Sequence, residues 1–407
     1  MTRTGRPTVI TLAALLVGAA LAADDWPQWR GPRRDGLSQE TGLLLEWPAS
    51  GPPLAWKASG AGDGFSSLAV AGGAVFTMGA HGNVESVLAL DAASGRLRWK
   101  TPYGARFRNG EGDGPRGTPT VDGDRLYVLG ASGDLSCLDA ATGRIVWTQN
   151  LLQKLGGRNI RWGLSESPLV AGDRVLVNAG ARDASIVAFD KRDGSVLWKS
   201  QSDEAGYASA VAAEVGGIAQ AIYFTGERAL GLRRDDGALL WEYRRVANGT
   251  ANIATPIVRD ASVFLSSDYG TGSALLALAK VGKGVQAREV YFTQTMRNHQ
   301  STSLLVGVHL YGFSGTILTA MRFDDGTLAW KDRSVGKGSL TYADGRLYVL
   351  SRAGVVALAE ASPAGYREKG RFRIETGAQP SWGPPVIADG RLYIRDQDTI
   401  YAYDVRR

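Results

Sequence analysis

Seven side chains with chemistry to offer stand at or beside equivalent positions of a repeating sequence: Arg116, Glu166, Tyr207, Asn298, His299, Lys337 and Trp382. Each lies just before a short apolar run, beside Phe65, Ser165, Ile253, Ser301 and Thr302 in the other copies or alongside. A closed ring of repeats would gather them at one mouth. There Tyr207 and Trp382 would stack on a planar ring or a sugar face, and Arg116 and Lys337 would hold an anionic group. Glu166, Tyr207 and His299 are the groups able to move a proton, the chemistry of a hydrolase or lyase. A carboxylate beside Arg116 or Lys337 is more often an ion pair than an acid or base.

Other chemistry is sparse. Three histidines (His81, His299, His309) stand apart, with no paired-histidine metal motif, and no metal site is expected. The lone Cys137 excludes an internal disulfide, a paired-cysteine zinc site and a haem attachment motif. Asp91, Asp139 and Asp190 recur at a turn position that Arg233 and Arg322 also occupy, so they read as turn residues. The glycine-rich stretch 106–114 lacks the Gly-Lys-Ser/Thr ending of a phosphate loop. The net charge is only +6, without a basic run, which argues against nucleic acid.

The elements that must position these residues are short strands. Glycine is abundant (53 of 407 residues), as a chain of many tight turns requires. Leu90-Asp91-Ala92-Ala93-Ser94-Gly95-Arg96-Leu97-Arg98-Trp99 recurs as Leu138-Asp139-Ala140-Ala141-Thr142-Gly143-Arg144-Ile145-Val146-Trp147. The Gly and the Trp return at Gly194 and Trp198, Gly237 and Trp241, and Gly326 and Trp330, with Tyr291 and Phe372 in two weaker copies. The spacing averages about 45 residues, the size of a four-stranded propeller blade. Aromatics fixed in every unit are best explained by packing between blades, so Trp56, Trp99, Trp147, Trp198, Trp241 and Trp330 are expected to be structural. A second column is almost all hydroxyl (Ser67, Thr118, Ser167, Ser209, Thr255, Ser303, Ser339) and reads as local backbone capping. The last unit stops one strand short at Tyr403-Asp404, and an orphan strand waits at Leu54-Ala55-Trp56-Lys57. The expected fold is all-β: an eight-bladed β-propeller of four-stranded antiparallel blades, closed by the N-terminal strand completing the C-terminal blade.

The N-terminus reads as an export signal over residues 1–22: Arg3 and Arg6, an apolar stretch from Val9 to Ala20, and Ala20-Leu21-Ala22 before a start at Ala23. Residues 23–53 form a lead segment and 54–407 the propeller. No cysteine follows the leader to take a lipid, and no transmembrane segment is expected. An exported chain without disulfides suits a bacterial periplasm or secretion from it.

The Leu-Asp-Ala-x-Ser/Thr-Gly-x-x-x-Trp repeat resembles the pyrroloquinoline-quinone (PQQ) repeat of quinoprotein-dehydrogenase-like propellers over residues 54–407. The opening Trp26-Pro27-Gln28-Trp29-Arg30-Gly31-Pro32 is similar to that of exported bacterial members. The resemblance implies either a PQQ-dependent alcohol or sugar oxidoreductase or a BamB-like outer-membrane assembly propeller, a scaffold without a cofactor. The enzymes of this kind carry an adjacent cysteine pair and a calcium bound by oxygen ligands, which this sequence does not provide. The reading preferred here is a non-catalytic binding or scaffold module with no cofactor, a monomer that takes a protein or glycan ligand at a propeller face. The alternatives are the quinone oxidoreductase and a propeller hydrolase or lyase acting on a polysaccharide.

Overall fold

The computed structural model describes residues 25–407; the expected leader, 1–22, lies outside the described residues. Thirty-two strands form eight antiparallel sheets of four. Blades 1 to 7 span 69–105, 120–150, 169–200, 211–243, 257–293, 304–332 and 338–373. Blade 8 takes three strands from 386–404 and its outermost from Leu54–Ser59, which pairs with Thr399–Asp404 through Trp56 opposite Ala402 and Lys57 opposite Tyr401. The ring closes as the orphan strand implied. Among the described residues no helix is long and apolar enough to cross a membrane.

The repeated motif is a staple between blades. In blades 1–4, 6 and 8 the outer strand bulges by one residue just before its Trp, which re-aims the indole. The residue facing it across the pair is small: Ala89, Cys137, Ala188, Gly231, Ala320 or Ala402. The indole N–H then donates to a turn carbonyl of the next blade, Trp56 to Ala92, Trp99 to Ala140, Trp147 to Lys191, Trp198 to Arg234 and Trp330 to Ser362, at 2.9–3.2 Å. The motif glycine serves two ends. Gly95, Gly143, Gly194 and Gly237 sit at φ of 71–74°, and a Cβ there would land 2.5–2.8 Å from the indole of the preceding blade. Trp241 departs from the pattern. Blade 5 replaces the motif turn with the long hairpin of Gly272–Val281 and Gly284–Thr293, and Trp241 donates instead to Gln220 of its own blade at 2.7 Å.

Blade 7 departs differently. The position facing Leu358, where other blades carry the aromatic, is Gly370, and Trp47 of the lead segment packs on it. Phe372 lies two residues beyond the motif position, against Trp47 and over Gly51.

The lead segment touches all eight blades. Trp26 exchanges backbone hydrogen bonds with Val70, Val121 N–H donates to Pro27, Ser38 pairs with Tyr342, and Leu44 N–H donates to Val405. These partners sit at the turn ends of the inner strands or just past the last strand, so the segment crosses one face of the ring. Between them Arg30 and Arg34 enter the central channel and are fully buried. Arg34 donates to the carbonyls of Ser167 (3.1 Å), Ala210 (2.9 Å) and Pro168; Arg30 donates to those of Thr302 (3.2 Å) and Ser303 (2.8 Å). Innermost strands have no inner neighbour, and two arginines supply donors to their carbonyls. The hydroxyl column joins blade to blade on the same ring, Thr118 N–H to Ser167 Oγ and Ser167 N–H to Ser209 Oγ, and Thr255 N–H reaches Thr302 Oγ1, one residue before the column's Ser303, each at 2.9 Å.

Candidate functional site

On the face opposite the lead segment, the loops that enter the inner strands surround a cavity of about 180 Å³. Arg116, Tyr207, His299 and Trp382 line it, each from a different blade. Lys337 does not; it stands half-buried near enough to His299 to depress the imidazole pKa. Glu166 and Asn298 are corrections to the sequence reading. Ser165 and Ser167 face the cavity, and an extended backbone turns alternate residues to opposite sides, so Glu166 points into the propeller. It is buried, and its Oε1 accepts from Asn178 N–H. Asn298 is buried too, its amide donating to the Phe313 carbonyl (3.1 Å) and accepting from Ser303 Oγ (3.0 Å).

Three aromatic pairs build the walls. Phe65 stacks on Trp382 with centroids 4.6 Å apart, Trp162 packs on Tyr207 at 5.5 Å, and Tyr269 on the His299 ring at 5.0 Å. Trp29 of the lead segment reaches the same cavity through the channel, its indole held by Thr255 Oγ1 at 2.9 Å. Trp29, Trp162 and Tyr269 escape the repeat alignment because none belongs to the repeat column. Trp162 sits in the connection after the short helix Leu151–Leu155, and the 51-residue gap from Trp147 to Trp198 hardly marks it, since Trp241 and Tyr291 are 50 apart.

The ionisable groups are tethered. Arg116 lies between Phe65 and Phe107 and donates to the carbonyls of Trp162 (2.7 Å), Gly112 (2.6 Å) and Gly114. Burial lowers its pKa to about 10, still cationic. Burial, with Lys337 close by, lowers the His299 pKa, so the imidazole is neutral at pH 7. Burial raises the Tyr207 phenol. The carboxylate on the cavity wall is Glu111, exposed at the rim. The arrangement suits holding a flat ring between aromatic faces better than transferring protons.

The family described as outer membrane protein assembly factor BamB matches residues 83–332. The chain belongs to that family. It is 24% identical to BamB of Yersinia pestis over 236 residues, 58% of this chain and 56% of that protein. It spans about half the length, or less, of the curated BamB relatives just cited and of those from Burkholderia pseudomallei and Shewanella oneidensis. Among solved structures, BamB from Moraxella catarrhalis superposes with a TM-score of 0.61 at 15% identity, covering 87% of this chain and 98% of that one. The quinohemoprotein alcohol dehydrogenase of Comamonas testosteroni superposes with 0.63 at 14% identity, covering 93% and 80%. At these identities the structural likenesses carry the fold alone, and they include a dehydrogenase as readily as BamB.

Proposed function

We propose that this chain is a non-catalytic binding propeller of the bacterial periplasm, exported by its N-terminal leader, that takes its ligand at the aromatic mouth. The observation that carries the reading is the contrast at the mouth: stacked aromatic faces form its walls, while Arg116 is bound into the fold and Glu166 points away from it. Concave, mostly apolar sites with a few placed polar groups are built for binding. Membership in a family named for an assembly factor supports a scaffold role in the cell envelope.

The cofactor-free reading has one support in these residues. A calcium such as the fold family's quinone would bring is held by carboxylate, amide and carbonyl oxygens, and among the described residues no three His, Cys, Asp or Glu side chains cluster to supply the carboxylate share of such a set. Trp29 also lines the mouth. The test is reconstitution with PQQ and calcium followed by a dye-linked assay over alcohols and sugars. No turnover is expected. Turnover that disappears when the quinone is removed overturns the non-catalytic reading.

A further inference from the structure

We infer that the mouth and a polar trough beside it form one binding site for an anionic glycan. The inference rests on the mouth as the binding face and adds the chemical class of its ligand. The trough, about 550 Å³, runs over the loops of blades 3 to 5 and meets the mouth at a shared wall, the Trp162–Tyr207 pair. A ligand bound in one therefore has a direct path into the other.

The two parts differ in chemistry. At about 180 Å³ the mouth has room for a single six-membered ring, since a cavity of about 150 Å³ accepts a benzene. Its lining also carries polar side chains, Ser165, Tyr207, Gln300 and Thr302, between the aromatic faces. Flat apolar faces with donors and acceptors at their edges match a sugar ring, which carries C–H groups on its faces and hydroxyls around its rim.

The trough is polar and cationic. Together the two cavities are lined by four arginines and two glutamates. Arg158 is exposed and has no ion-pair partner among the described residues. Arg182 is 92% exposed, with Asp183 no nearer than 3.9 Å. Arg161 lies over the Trp162 ring at 4.7 Å, at the junction of the two parts. Guanidinium groups with donors to spare bind carboxylate or sulfate in pairs of hydrogen bonds. The trough amides are already committed: Asn159 to the Ala131 carbonyl, and Asn248 and Asn252 to one another and to neighbouring loop atoms. The arginines, the loop backbone and the exposed Glu204 are thus what a ligand meets. Arg161 is shared with Glu111 at 3.4 Å, which leaves Arg158 and Arg182 as the trough's free cations among the described residues. An acidic peptide would share the charge, but the trough walls are loops and hairpin turns, with no free strand edge on which a peptide could add. A chain of sugar rings bearing carboxylates or sulfates satisfies both parts, one ring in the mouth and its charged neighbours along the trough.

Calorimetric titration of the purified protein with oligogalacturonate, a neutral oligosaccharide of equal length and poly-glutamate tests this. Oligogalacturonate is expected to bind, with affinity falling about tenfold in the Arg158→Ala/Arg182→Ala variant and falling with added salt. Both residues are exposed, so the fold is retained. Gly249→Trp is a second probe. A Cβ at Gly249 meets nothing within 4 Å, and the indole would occupy the trough and weaken oligogalacturonate binding. Neutral sugar bound as tightly, or poly-glutamate bound in place of the glycan, overturns the anionic-glycan assignment while leaving the mouth as a binding face. No binding of any probe overturns the assignment as well. Quinone-dependent turnover would instead overturn the reading on which it rests.

Discussion

Arg34 and Glu166 share the centre of the propeller, and both are buried where charge is costly. Burial lowers the Arg34 pKa to about 10, which still leaves it charged, because its hydrogen bonds to inner-strand carbonyls replace water. Arg34→Met would leave the Ser167 and Ala210 carbonyls without that donor, and a stability loss of about 3 kcal/mol is expected in denaturant titration. A loss under about 1 kcal/mol would mean the channel hydrates freely. Glu166 takes the opposite state. Burial raises its pKa from the ordinary 4.5 to about 8, against the pull of Arg34. Between those values the folded chain keeps a proton that the unfolded chain has lost, so stability falls as pH rises through this window and levels off above it. Glu166→Gln should flatten that slope in melting temperatures measured across it. An unchanged slope in the variant would assign the pH dependence elsewhere.

At the scale of the blade, the staple makes each sheet depend on its neighbour. Trp147 and Trp198 each bury an indole over the next blade's glycine and donate a hydrogen bond to a turn carbonyl of that blade, Lys191 or Arg234. Trp147→Ala and Trp198→Ala are each expected to lose about 3–5 kcal/mol, the cost of a large buried aromatic. A change below about 1 kcal/mol in either would remove the staple as a source of stability. Five of the six repeat tryptophans could be read as packing residues because the motif keeps turn glycine and indole at constant spacing, and Trp56 because its strand matches the end of the same unit. The way blade 7 solves the same problem could not. Its Trp position is Gly370, the indole comes from Trp47, more than three hundred residues earlier in the chain, and Phe372 covers Gly51 from two residues further on. A pattern within one repeat carries no trace of a side chain supplied from outside it.

At the scale of the molecule, closure and the channel plug belong to the same stretch of chain. Residues 25–53 touch every blade before Leu54–Ser59 completes the last. Deleting residues 23–57 should therefore open the ring, expose two sheet edges and remove the plug. A lower melting temperature and self-association in size-exclusion chromatography are the expected results. A monomer that melts unchanged would separate closure from stability.

The sequence by itself determined the repeat, the blade count, the closing strand and the family, because each is written in local patterns: turn glycines, alternating strands and one aromatic per unit. It also placed Arg116, Tyr207, His299 and Trp382 in one column, and ring closure brings those four to one cavity. Only the tertiary structure decided which members of that column face inward. The extended backbone before the inner strand turns Glu166 away beside Ser165, and Asn298 is used up in holding its own loop. It alone decided that Trp29 reaches the cavity from the far face and that Trp162 and Tyr269 complete its walls, since those side chains converge from loops that share no repeat position.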